Sequence, residues 1–122
     1  MTRSGHVAIV DDDPSIRTAL ARLLGRHGIE CRTYSSARDF LEALPSGAPH
    51  CLIVDVNMPD MTGLELQREL SKAGFRIPAI VITANADQRM ARAAASLGAV
   101  AFLPKPVPAD KLMAAVTSCS QE

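Results

Sequence analysis

The chain has 122 residues, of which 48% are hydrophobic, and its 13 basic residues balance 13 acidic ones. This is the size of one ordinary domain, and it can build a core without disulfides or a structural metal. The balanced charge disfavours direct binding to nucleic acid, which usually requires a basic surface.

The first elements in the chain are a strand and an amphipathic helix. Residues 6–10 form a short run rich in β-branched side chains. Five apolar side chains then recur at helical spacing and predict one buried helix face: Ile16, Ala19, Leu20, Leu23 and Leu24. Asp13 is suited to the N-cap of this helix, Pro14 to its first position, and Gly28 to its end.

A weaker strand and a shorter helix follow. Residues 29–34 are the strand candidate. Ser36 and Asp39 have the spacing of a capping box, which predicts that a helix begins there. Pro45 is expected to stop this second helix.

The second half of the chain alternates in the same way. Its buried apolar runs predict strands at residues 51–54, 79–82 and 100–103. A third helix is expected after the loop at residues 58–63, and a fourth over residues 88–97. Gly74 and Gly98 are placed to end these two helices, and Pro108 to open a fifth.

Five strands alternating with five helices predict an α/β fold. Because the strand runs are apolar on both sides, they indicate a parallel sheet covered by helices on both faces. Right-handed crossovers then leave few topologies. We predict a doubly wound, flavodoxin-like sheet of five parallel strands in the order 2-1-3-4-5, within a three-layer sandwich.

The cysteines and the apolar runs bear on the compartment. The three cysteines show neither a CxxC pair nor a metal-ligand spacing, so we expect reduced thiols that pack in a cytoplasmic protein. Residues 1–6 contain no apolar signal core, and no apolar run approaches the roughly 18 residues that span a bilayer. The expectation is a single domain over residues 1–122, with its core at about residues 6–118.

Polar side chains follow four of the predicted strands. Asp11 and Asp12 follow the first strand, Asp55 the third, Thr83 the fourth and Lys105 the fifth. Since parallel strands end at one edge of the sheet, the fold brings these groups together. Like charges about 4 Å apart repel by roughly 4 kcal/mol at an effective dielectric of about 20, so the carboxylates need a raised pKa or a bound cation. Oxygen ligands suit Mg²⁺, and with a lysine and a hydroxyl they make a phosphoryl-transfer site around a carboxylate nucleophile.

These residues lie in motifs that resemble response-regulator receiver domains of two-component signalling over about residues 7–116. The motifs are Val10-Asp11-Asp12, Asp55-Val56-Asn57-Met58-Pro59 with Gly63, Ile82-Thr83-Ala84, and Lys105-Pro106. Each motif alone is weak, but together, in this order and spacing, they are highly specific. The sequence is also similar to the nitrogen-fixation-type regulators that carry a C-terminal helix-turn-helix domain.

The resemblance implies how phosphorylation takes place. Asp55 would accept a phosphoryl group from a sensor histidine kinase or a phosphotransfer protein. Mg²⁺ would be bound by the carboxylates of Asp12 and Asp55, by the backbone carbonyl of Asn57, and by Asp11 through water. The domain would be no enzyme beyond self-phosphorylation and autodephosphorylation at Asp55.

The resemblance also implies how the signal leaves the site. Thr83 and Lys105 would contact the phosphoryl oxygens, and the Lys105–Pro106 peptide bond is expected to be cis. Phe102 matches the aromatic switch residue that turns inward when the threonine moves. Phosphorylation would then switch the surface of the fourth helix, fifth strand and fifth helix to control an output. An output domain can follow in a longer chain, and the phosphorylated form can become a homodimer, without contact to nucleic acid or membrane by this domain.

Three other functions compete with this interpretation. A phosphatase of the haloacid-dehalogenase type needs an aspartate two residues after its nucleophile, where Asn57 stands and cannot transfer a proton. A flavodoxin would cradle a phosphate in the first loop, which is acidic here at residues 11–13. A degenerate receiver that acts only as an interaction module would not need the complete set of acids, threonine and lysine.

Overall fold

The computed structural model describes residues 5–85 and 87–120, and within them five strands alternate with five α-helices. The strands are β1 Val7–Val10, β2 Cys31–Tyr34, β3 Cys51–Asp55, β4 Ala79–Thr83 and β5 Ala99–Pro104. The helices are α1 Pro14–Arg26, α2 Ala37–Ala43, α3 Gly63–Lys72, α4 Gln88–Ser96 and α5 Ala109–Ser120, with a 3-10 turn at Leu44–Ser46. The predicted domain ends at residues 1 and 122 lie outside the described residues.

The sheet is parallel throughout, and its strand order is β2-β1-β3-β4-β5, which confirms the predicted doubly wound topology. Helices α1 and α5 cover one side of it, and helices α2, α3 and α4 cover the other. Every residue of β1, β3 and β4 is buried, because these strands are interior and covered on both faces. The edge strand β2 is partly exposed.

The core has two parts because successive side chains of a strand point to opposite sides of the sheet. On the α1/α5 side the largest buried contributors are Ile9, Leu24, Ile53, Ile80, Ile82 and Leu112. On the other side they are Phe40, Leu44, Leu52, Met58, Leu66 and Leu70. Each fully buried side chain of this size stabilises the fold by about 1.5–3 kcal/mol relative to exposure.

The first helix begins and ends as its sequence predicts. The Asp13 carboxylate accepts a hydrogen bond from the Ser15 N–H at 2.8 Å, and Pro14 occupies the first helical position. Gly28 follows the helix with a φ of 75°, a left-handed conformation that favours glycine. Ala19 was wrongly assigned to the buried face, since its side chain is exposed while Leu20 and Leu24 are buried.

Other local predictions were partly wrong. The Ser36 hydroxyl accepts from the Asp39 N–H, but the Asp39 carboxylate accepts from the Ser35 hydroxyl, so the predicted capping box is only half formed. The second helix does end before Pro45, at Ala43, and Pro45 lies in the 3-10 turn that follows it. Strand and helix ends differ from the prediction by one or two residues, because hydrogen bonding to neighbours, and not local sequence, decides where pairing stops.

Candidate functional site

The strand register brings the predicted site residues to one edge of the sheet. Val10 pairs with Val54, so Asp11 directly follows β1 beside Asp55, the last residue of β3. Thr83 ends β4 and pairs with Pro104, and Lys105 comes next in the chain. The Lys105 N–H donates to the Thr83 carbonyl oxygen at 2.8 Å, which fixes the backbone of Lys105 against β4.

Lys105 lies between two buried carboxylates. Its Nζ is 3.0 Å from an Asp11 oxygen and 3.2 Å from an Asp55 oxygen. Asp11 is 0% exposed and Asp55 3%, whereas the lysine side chain keeps 16% of its surface in solvent. One ammonium therefore serves two carboxylates, and one negative charge is left without a cation of its own.

The pKa values of Asp55 and Lys105 reflect both burial and the neighbouring charges. Burial raises the pKa of Asp55, the neighbouring Asp11 charge raises it further, and Lys105 opposes both effects without cancelling them. For Lys105, burial alone would lower the pKa, but the hydrogen bond and charge of Asp11, together with Asp55, outweigh burial and raise it. The two shifts therefore differ in their main cause, which is burial for Asp55 and the neighbouring carboxylates for Lys105.

The acidic edge suits a divalent cation. Asp11, Asp12 and Asp55 each offer a carboxylate oxygen, and these three oxygens lie within 4.8 Å of one another. Asp12 is exposed, so a hydrated ion can reach the edge from solvent. An all-oxygen donor set with uncompensated negative charge fits Mg²⁺, which commonly binds through one or two carboxylates and keeps several waters.

The remaining predicted site residues border this edge. Thr83 is completely buried, and its hydroxyl accepts from the Asn85 N–H at 3.2 Å. Asn57 is exposed, and its backbone N–H donates to an Asp55 oxygen at 3.3 Å. Phe102 is half-buried and packs against the core on the α2/α3/α4 side. The Lys105–Pro106 peptide bond is cis, as predicted.

Asp13 takes no part in the acidic cluster formed by Asp11, Asp12 and Asp55. Its carboxylate caps α1, and its backbone N–H donates to Asp11 at 2.9 Å. The aspartate run therefore divides into two members of the acidic cluster and one helix cap, and the cap at Asp13 agrees with the prediction.

Sequence reasoning missed two supports of the site. Arg17, one turn into α1, donates from its guanidinium to the Asp11 carbonyl oxygen at 2.7 Å. Gly63, at the start of α3, lies so close to the strand that an added Cβ would be 2.7 Å from the Asp55 carbonyl oxygen. The glycine was recognised as part of a motif, but only the packing reveals why a side chain is excluded there.

A third missed feature fixes the loop that follows Asp55. Thr62 and Glu65 form a complete capping box, since each side chain accepts from the backbone N–H of the other. The Thr-x-x-Glu spacing at the end of the loop could have predicted it.

The fold and the edge together define a class: a doubly wound α/β domain with a buried aspartate, an acidic cluster and a lysine at the carboxyl ends of its strands. Comparison with known families identifies the family within this class. The profile of the response regulator receiver domain matches residues 7–117, and the chain belongs to that family. It is a receiver domain of a two-component response regulator.

Known relatives agree with this assignment. The chain is 39% identical over 120 residues to the transcriptional regulatory protein TdiR of Thauera aromatica, covering 96% of this chain and 53% of TdiR. It is 35% identical over 122 residues to FixJ of Bradyrhizobium diazoefficiens, covering 100% of this chain and 60% of FixJ. The crystal structure of FixJ-N superposes with a TM-score of 0.90 at 36% identity, over 99% of this chain and 97% of that one.

These comparisons bear on the subfamily and on the extent of the chain. The likeness to FixJ is consistent with the predicted similarity to nitrogen-fixation-type regulators. The chain spans about half the length of TdiR and three fifths of FixJ, so those relatives carry further sequence beside the receiver domain. Receiver domains are in general not enzymes in the usual sense. Among the described residues, no helix combines the length and apolarity needed to cross a bilayer.

Proposed function

We propose that Asp55 is the phosphoacceptor of this receiver domain, and that a phosphohistidine on a sensor histidine kinase or phosphotransfer protein is its donor. The observation that carries the proposal is the position of Asp55, which ends a central strand within reach of both an acidic cluster and the Lys105 ammonium. A new P–O bond forms at an Asp55 carboxylate oxygen while the P–N bond of the donor breaks. The electron pair of the broken bond stays on the imidazole nitrogen.

The residues around Asp55 have distinct tasks in this proposal. Lys105 holds the Asp55 carboxylate before reaction and a phosphoryl oxygen afterwards, since its flexible stem can follow the charge. Thr83 donates its hydroxyl to a second phosphoryl oxygen and gives up its present contact with the Asn85 N–H. The phosphoryl group adds about −1.5 to −2 charge to an acidic edge. Lys105 and Thr83 therefore stabilise more negative charge after the transfer than before it.

Mg²⁺ is the proposed cofactor. Asp12 and Asp55 would bind it through carboxylates, Asn57 through its backbone carbonyl, and Asp11 through water. When bound, the ion neutralises the charge that develops on the transferred phosphoryl oxygens. The geometry supports a cation here, because Asp11 and Asp55 share the single Lys105 ammonium and lie in one acidic cluster with Asp12.

The proposed output is a change in the surface of α4, β5 and α5. Phe102 pairs with Val81 across β4 and β5, near Thr83 in the same strand pair. Movement of the Thr83 side chain toward the phosphoryl group would leave space that the half-buried Phe102 ring can occupy. This couples the acidic edge to the outer strand and its flanking helices.

The relatives suggest in what kind of longer protein this domain works. TdiR and FixJ are transcriptional regulatory proteins, so we propose that residues 1–122 form one receiver domain in a cytoplasmic regulator whose output domain controls transcription. Phosphorylation can also favour a homodimer through the switched surface. The receiver domain itself, with balanced charge, is proposed to contact neither nucleic acid nor membrane.

The test is chemical phosphorylation followed by mass spectrometry. The protein is incubated with acetyl phosphate and Mg²⁺, and we expect one added phosphoryl group that maps to Asp55. Asp55→Asn and chelation of Mg²⁺ should each abolish the addition, while Asp60→Asn, a control in the following loop, should keep it. Phosphoryl addition that persists in Asp55→Asn would contradict the proposal. Sustained turnover of phosphate esters would favour a phosphatase, and absence of any addition would favour a degenerate receiver.

A further inference from the structure

Two of the three cysteines lie in contact on the α1/α5 side of the sheet. Cys51 is the first residue of β3, and Cys119 lies in the last turn of α5. The Cys51 thiol donates a hydrogen bond to the Cys119 sulfur over 2.6 Å, and both side chains are buried. The two residues are 68 positions apart, so the tertiary fold, and not local sequence, brings the sulfurs together.

The third cysteine has a different environment. Cys31 is half-buried, and its thiol donates to the Ile29 carbonyl oxygen at 3.6 Å. A buried cysteine that only fills space behaves as a small hydrophobic side chain and needs no second sulfur beside it. The contact between Cys51 and Cys119 therefore distinguishes this pair from Cys31, which serves as an internal control.

We propose that Cys51 and Cys119 form a disulfide when the protein meets a small-molecule disulfide such as oxidised glutathione. The Cys119 thiolate attacks one glutathione sulfur, the S–S bond of the reagent breaks, and one glutathione leaves as its thiolate. The Cys51 thiolate then attacks the Cys119 sulfur of the mixed disulfide and releases the second glutathione. Two protein thiols are oxidised, one glutathione disulfide is reduced to two thiols, and the two cysteine protons pass to the glutathione thiolates.

Burial controls the rate of this reaction. The hydrogen bond with Cys119 and the loss of water raise the pKa of Cys51 far above that of an ordinary thiol, so thiolate is scarce in the closed fold. Cys119, which makes the first attack, is itself buried, so this attack requires opening of the last turn of α5. Such local opening costs less free energy than global unfolding. Once Cys119 carries glutathione, reclosure presents its sulfur to Cys51.

The disulfide would fix α5 to the sheet at the edge opposite the acidic site. Cys51 begins the strand that Asp55 ends, and the four residue steps between them span roughly 13 Å. Neither sulfur belongs to the acidic cluster, so this inference does not depend on phosphorylation of Asp55. Its effect is on the mobility of α5.

The experiment counts thiols and maps the bond. The full chain is incubated with oxidised glutathione, quenched in acid, unfolded and alkylated with N-ethylmaleimide before intact-mass analysis and peptide mapping. The reduced protein should take up three maleimide groups, one for each cysteine. The oxidised protein should take up one, on Cys31, and yield a single linked peptide pair that contains Cys51 and Cys119. Urea below the unfolding transition should accelerate the reaction.

Two variants make the result specific. Cys31→Ser should form the same bond and leave no alkylated cysteine, while Cys119→Ala should yield no linked peptide at all. Uptake of three maleimide groups after prolonged incubation, with or without mild urea, would overturn the inference. A bond that involves Cys31, or a stable glutathione adduct on Cys119 with Cys51 still alkylated, would overturn it as well.

Discussion

Replacement of Asp55 by asparagine should stabilise the protein while it removes the proposed phosphoacceptor. Burial, followed by the Asp11 charge, raises the folded-state pKa of Asp55 above the ordinary value of 3.8. The stability that this group contributes is therefore fully present below the unfolded pKa and is lost as the pH rises through the folded one. Once ionised, the carboxylate is unfavourable in the folded protein, and asparagine removes that charge.

The distances give the size of the effect. Lys105 at 3.2 Å attracts the Asp55 carboxylate by about 5 kcal/mol at an effective dielectric of about 20. The Asp11 carboxylate, with an oxygen within 4.8 Å, repels it by about 3 kcal/mol, and removal of a buried ion from water costs several kcal/mol more. The unfavourable contributions exceed the attraction, in the direction of the pKa shift. We expect Asp55→Asn to raise the free energy of unfolding by about 0.5–2 kcal/mol.

The assay is urea unfolding at pH 7 in the presence of a chelator, followed by circular dichroism. Glu42→Gln, which removes an exposed carboxylate from α2, is the matched control and should leave the midpoint unchanged. Saturating Mg²⁺ should then stabilise the unsubstituted protein by about 2.7 kcal/mol at a concentration 100 times the dissociation constant. The same Mg²⁺ concentration should stabilise the Asp55→Asn variant much less. If Asp55→Asn unfolds at lower urea than the unsubstituted protein without metal, the Lys105 attraction dominates and our reasoning about the carboxylate is refuted.

Three other substitutions test single contacts. Lys105→Met leaves two buried carboxylates without their shared ammonium, so urea unfolding should show a loss of about 3–5 kcal/mol at pH 7 that shrinks as acid protonates Asp55. Gly63→Ala puts a Cβ 2.7 Å from the Asp55 carbonyl oxygen and should cost about 1–3 kcal/mol in thermal unfolding, whereas Gly25→Ala, with nothing within 4 Å, should not destabilise. Asp13→Ala should cost about 1 kcal/mol through the lost helix cap while phosphorylation by acetyl phosphate continues, and a loss of that labelling would instead assign Asp13 to the cation site.

The convergence of the site residues was predictable because it depends on topology alone. Buried apolar runs at Cys51–Asp55 and Ala79–Thr83 indicate parallel interior strands, and parallel strands end at one edge. Asp11, Asp55 and Lys105 each directly follow or end a strand, so the strand order fixes their proximity. No knowledge of side-chain conformation is required for that step.

The way in which the charges are shared was not predictable from the sequence. Lys105 contacts both Asp55 and Asp11, and its distance to Asp11 is slightly shorter. The difference depends on side-chain reach across three strands, which spacing does not encode. The contact between Cys51 and Cys119 is of the same kind, because it depends on how far α5 extends along the sheet.

The fold can keep an unfavourable carboxylate at Asp55 because the rest of its strand is completely buried. Leu52, Ile53 and Val54 have no exposed surface, and each contributes about 1.5–3 kcal/mol by burial. Their sum exceeds the estimated cost of the uncompensated charge, so β3 holds the acid in place without a full set of partners. A bound cation can neutralise this surplus negative charge, and a substitution at Asp55 can remove it. A fully neutralised edge would be more stable, but it would attract Mg²⁺ less. The Lys105 ammonium would also be drawn less strongly toward a phosphoryl group on Asp55.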